Sequence, residues 1–73
     1  MSDPIMAETE QMALVLAGEA AAEPNIPIAV LLERSAKAYG TTAGRMKYAL
    51  TFAKVRGLVT VDYDSATVEV PHA

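Results

Sequence analysis

The sequence predicts a small, mainly α domain that closes on a β-hairpin. Three observations predict it. Prolines and glycines at Pro24, Pro27, Gly40 and Gly57 cut the chain into helix-sized segments. Apolar residues within those segments recur at spacings of three and four. After Gly57 the spacing drops to two, the period of a strand. With 73 residues the chain is long enough for one domain (1–73). It contains no cysteine, so no disulfide or thiolate-bound metal reinforces a core of this size.

Asp3-Pro4 reads as a helix start, because Asp caps free amides and Pro suits the first helical position. The first helix is expected over about 4–22, with Ile5, Met12, Val15, Leu16 and several alanines on its buried side. Glu8 and Glu10 fall near its positive end. Glu23-Pro24-Asn25 stops it. Ile26-Pro27 then opens a second helix, expected over about 27–38, whose inner side is Ile28, Leu31, Leu32, Ser35 and Ala36. Gly40 supplies the left-handed residue of a tight stop. Thr41 or Thr42 caps a third helix, expected over about 42–56, with Met46, Ala49, Leu50 and Ala53 as its core stripe. A hairpin follows over about 58–70: Leu58–Asp62 out, Tyr63–Ala66 as the turn, Thr67–Val70 back.

The junction from Leu32 to Ala49 carries the most information. Two helices that cross steeply need a small residue where their backbones approach and a glycine in the turn. Ala36 and Gly40 stand in those places, and Met46 and Ala49 hold the third helix on the second. Gly57-Leu58-Val59 then ends the helix and begins the hairpin. From Ile26 to Val70 the pattern resembles the winged helix-turn-helix family of DNA-binding domains. The resemblance implies a three-helix winged helix-turn-helix whose third helix enters the major groove of double-stranded DNA. The function it implies is that of a small sequence-specific transcription regulator.

The charge pattern agrees with that expectation. Net charge is −3, yet all six basic residues lie between positions 34 and 56, and all nine acids lie outside that stretch. A chain this dipolar offers an anion a positive face despite its net charge. At about 100° per residue, the side of the third helix opposite its core stripe carries Gly44, Tyr48, Thr51 and Val55, with Phe52 beside them. Lys47 and Lys54 flank the strip on one side, Arg45 and Arg56 on the other. The candidate DNA-binding residues are Arg34, Lys37, Thr41, Thr42, Gly44, Arg45, Lys47, Tyr48, Thr51 and Phe52. Basic side chains meet phosphates or guanine edges, Thr51 forms hydrogen bonds, and the rings meet thymine methyls. Gly44 lets a phosphate approach the helix start. Lys54 and Arg56 also have a purely helical use, since cations stabilise a helix C-terminus.

One feature departs from the family. The tip of the wing is Asp62-Tyr63-Asp64, and phosphates repel carboxylates. An interaction module is therefore the alternative reading: a winged helix that binds a protein through Tyr48, Phe52 and Val55, as a phage-encoded inhibitor or a subunit of a larger complex does. The DNA-binding regulator is expected to form a homodimer, since one short helix reads too few base pairs, and its first helix is the expected dimer element, because Met12–Ala17 is apolar around more of its circumference than a monomer this small buries. Catalysis is not expected. His72 is the single histidine, no nucleophile stands beside a base, and Asp62, Asp64 and Glu69 make a poor cation site. No cofactor and no metal is expected. No apolar run approaches the roughly 20 residues that span a bilayer, and no basic leader precedes one. The expected location is the cytoplasm of a bacterium, an archaeon or one of their viruses.

Overall fold

The computed structural model describes the backbone of residues 4–71 and the side chains of residues 7–71. Asp3 and His72, and the side chain of Ile5, lie outside the described residues. The element order is α1 (Pro4–Ala22), β1 (Ile26–Pro27), α2 (Ile28–Tyr39), α3 (Ala43–Val55), β2 (Thr60–Asp62) and β3 (Thr67–Glu69). Three helices pack on one another, and a three-stranded antiparallel sheet of order β1-β3-β2 closes one side. This is a winged-helix-like fold.

The helices begin and end for local reasons. Gly40 adopts φ +93°, and its N–H and that of Thr41 both donate to the Ala36 carbonyl, at 2.8 and 2.9 Å. Two orphan carbonyl valences at the end of α2 are thereby used, and the chain reverses into α3. Thr42 caps α3: its hydroxyl oxygen accepts from the Arg45 N–H at 3.3 Å. Gly57 takes φ +74° after α3, and Leu58 N–H donates to the Ala53 carbonyl at 2.8 Å.

Ile26-Pro27 does not open α2 as the sequence suggested. It forms β1, pairing Ile26 with Val68 and Pro27 with Thr67. Proline fits because an edge strand has N–H groups to spare. α2 then begins one residue later, with no side-chain cap. Its first N–H, on Ile28, donates instead to the Ala66 carbonyl at 2.9 Å. Ala66 sits in the left-handed region, φ +56°, which turns that carbonyl toward α2. The wing thus supplies the cap that Pro27 lacks.

The core lies where α1, α2 and α3 meet the sheet. Leu16, Ile26, Leu31, Met46 and Val68 are its fully buried large side chains. Ala13 and Ala20 on α1 and Ala49 and Ala53 on α3 are buried with them. Small residues on both helices let their axes approach closely, and α1 packs on α3 more extensively than on any other element. Val68 pairs with Ile26 on one side and Val61 on the other, so one row of β-branched residues ties the sheet to the helices.

Candidate nucleic-acid interface

α3 is held on its inner side by Met46, Ala49 and Ala53, all buried, with Leu50 half-buried beside them. Its outer side is therefore fixed by geometry. Gly44, Tyr48, Thr51 and Val55 are exposed along the full length of the helix, Tyr48 by 74% and Val55 by 78%. Among the described residues no other element covers this strip. Phe52 stands apart from it: it is half-buried and packed against the core, and the Arg56 guanidinium lies over its ring at 4.9 Å. Its contribution to any interface is an edge and a stacked cation, not a free ring face.

The strip's polar groups are partly committed. Thr51 donates its hydroxyl proton to the Lys47 carbonyl at 3.2 Å, so toward a ligand it offers an acceptor. The Thr42 oxygen serves as the helix cap, which leaves its O–H free to donate. An added Cβ at Gly44 would meet only the Thr42 hydroxyl, at 3.9 Å. Packing within the domain does not demand a glycine there.

The basic residues divide into two groups. Arg34 pairs with Glu23 at 2.7 Å, and Arg45 pairs with Glu8 at 2.5 Å. Lys54 donates to the Tyr63 hydroxyl at 2.9 Å, joining α3 to the wing. Arg56 rests on Phe52. Lys37 and Lys47 are exposed and have no ion-pair partner among the described residues. Both ion pairs are solvent-exposed, so each is worth at most about 1 kcal/mol and a competing anion can displace it. Glu8 and Glu23 are the acids that the chain fold brings against the basic stretch.

Lys37 lies on the wall of an open groove of about 410 Å³ beside the α2–α3 turn. Val30, Glu33, Arg34, Ala36, Thr41 and Ala43 complete the wall. The groove leads to the N-terminal end of α3, where free backbone amides and the helix dipole favour an anion.

The acidic wing tip has a structural use that sequence patterning missed. Asp62 accepts hydrogen bonds from the N–H groups of Asp64 (3.0 Å) and Ser65 (3.3 Å). The Ser65 hydroxyl, then the Ser65 and Asp64 amides, hold the Asp62 carboxyl below its ordinary pKa. Asp62 therefore builds the turn while remaining, like Asp64, exposed at the tip. Among the described residues no three carboxylate or imidazole side chains gather as a metal site, and no helix is long and apolar enough to cross a membrane. No protein-family profile, curated protein or solved structure matches the chain.

Proposed function

We propose that the domain binds double-stranded DNA through the outer strip of α3, acting as a small transcription regulator. The observation that carries this reading is the uncovered Gly44–Tyr48–Thr51–Val55 face with unpaired Lys47 alongside it and Lys37 and Thr41 at its N-terminal end. α3 lies in the major groove, with Thr51 accepting from a base amino group and the Tyr48 ring against a thymine methyl. Lys37, Lys47 and the α3 amides meet phosphates. Arg45 joins them by exchanging Glu8 for a phosphate, an exchange between two surface ion pairs that costs little. The acidic wing tip stays off the backbone.

The Arg45–Glu8 pair gives this reading a sharp test. Fluorescence anisotropy of labelled duplexes from the protein's own genomic neighbourhood, titrated at several salt concentrations, measures affinity and its salt slope. Glu8→Gln is expected to tighten binding, because it releases Arg45. Replacing Arg45 and Lys47 by Ala is expected to weaken binding and flatten the salt slope by roughly 2, since each phosphate contact contributes about 0.9. An affinity indifferent to all three changes sinks the DNA reading.

A protein partner is the second reading, favoured by one observation: Tyr48, Val55 and the wing's Tyr63 are among the large apolar side chains left exposed. On this reading Tyr48→Ala abolishes binding of the partner, while Glu8→Gln and salt have little effect.

A further inference from the structure

We infer that α3 selects A·T-rich duplexes, reading thymine methyl groups at two positions about three base pairs apart and a base amino group between them. The inference rests on the DNA reading above and names the class of sequence which that site takes.

The residue types on the strip carry it. Base pairs are told apart in the major groove by their donors, their acceptors and the thymine methyl. Guanine is most often read by the fork of an Arg or by a Lys, and adenine by the paired donor and acceptor of Asn or Gln. α3 contains no Asn and no Gln. Its single arginine, Arg45, stands off the strip and is held by Glu8. Lys47 flanks the strip as a point charge on a flexible stem, which suits a phosphate better than two atoms of one base. Tyr48, Thr51 and Val55 are left to meet base edges. Tyr48 and Val55 are more exposed than any other large apolar side chain among the described residues. Against guanine's acceptors an apolar group leaves polar atoms dry. Against a thymine methyl, two apolar surfaces leave water together.

Thr51 supplies an independent observation. Its hydroxyl proton is given to the Lys47 carbonyl one turn back. Outward it presents lone pairs alone. A lone pair is matched by the amino group of adenine or cytosine and repelled by the acceptors of guanine and by the carbonyl of thymine. An A·T pair carries both features, an amino group on one base and a methyl on the other.

Helix geometry sets the spacing. Tyr48 and Val55 are seven residues apart on α3. At about 1.5 Å per residue that is about 10 Å along the axis. Where the axis follows the groove, this matches about three base-pair steps of roughly 3.4 Å. Thr51 falls between the two.

Selection of duplexes from a randomised pool, followed by base-analogue substitution in the selected site, tests this. The selected sites are expected to be A·T-rich. Uracil in place of a contacted thymine removes one methyl and changes no base-pair hydrogen bond. It should weaken binding about fourfold at each of two positions. Tyr48→Ala should abolish that penalty at one position and Val55→Ala at the other, whereas Tyr48→Phe, which keeps the ring, should preserve it. All three are changes of exposed side chains, so the fold is retained. Thr51→Val, similar in shape but without an acceptor, should lose the preference for an amino group between the two positions. At a methyl-reading position 5-methylcytosine should bind about fourfold more tightly than cytosine. A G·C-rich selected site overturns the inference and leaves DNA binding standing. So does a uracil penalty that is absent, or that both alanine variants leave unchanged. A pool from which no duplex is retained even at low salt overturns the DNA reading, and this inference with it.

Discussion

Ser35 is fully buried on α2, and its hydroxyl has no hydrogen-bond partner among the described residues. A buried hydroxyl left unpaired costs about 1–3 kcal/mol in lost hydration. Ser35→Ala removes that group, keeps the side-chain volume nearly constant and improves helix propensity. Thermal unfolding of the variant is expected to show a gain of about 1 kcal/mol, or roughly 4–8 °C for a domain of this size. A loss of stability would mean that the hydroxyl is bonded after all. Asp62 makes the opposite kind of contribution. Its pKa is depressed on folding by hydrogen bonds from Ser65 and Asp64. A depressed carboxyl stabilises the fold fully above its unfolded value, and that contribution disappears as pH falls through the lower folded value. The wing turn is therefore expected to loosen below about pH 4. The amide resonances of Asp64 and Ser65 should titrate together there, and Asp62→Asn should abolish that titration.

At the scale of elements, the helix ends are set more by backbone conformation than by contacts. A Cβ on Gly40 would meet nothing within 4 Å, yet its φ of +93° is strained for any L-residue. Gly40→Ala is expected to cost about 1–2 kcal/mol in denaturant titrations, and Gly40→Asn less, because Asn tolerates the left-handed region better. Equal losses for both would point to a steric cause instead. Local signals of this kind are why the helices are legible in the sequence: Pro4, Gly40 and Gly57 act locally, and apolar spacing needs no knowledge of the fold. β1 was not legible for the same reason in reverse. Two residues have no period, and Ile26-Pro27 is equally good as a helix start. Its identity as a strand depends on Val68 and Thr67, far along the chain. The outer strip of α3 followed correctly from helix geometry, with Tyr48 and Val55 exposed. The pairing of Arg45 with Glu8 spans 37 residues, and no local pattern encodes it.

Across the whole molecule, the charge separation read along the chain is softened by the fold. α1 carries Glu8 to Arg45 of α3, and Glu23, just beyond the end of α1, meets Arg34 of α2. The exposed basic face that remains centres on Lys37 and Lys47. The same folding back makes the wing part of the main structure. β3 lies between β1 and β2, Val68 is fully buried, and the Ala66 carbonyl accepts from the first amide of α2. A wing built this way is expected to unfold together with the helices. Val68→Ala removes two buried methyl groups from a core in which alanine already occupies many positions, at a cost of about 2 kcal/mol. For a chain this short that is a large share of total stability, which scales to roughly 4–11 kcal/mol. Helical ellipticity and the wing amide resonances of Val68→Ala are expected to disappear in one transition, at lower denaturant than wild type and with the same slope. If the wing resonances vanish first and helicity persists, the wing is an appendage. The geometry of α2's first turn would then not depend on it.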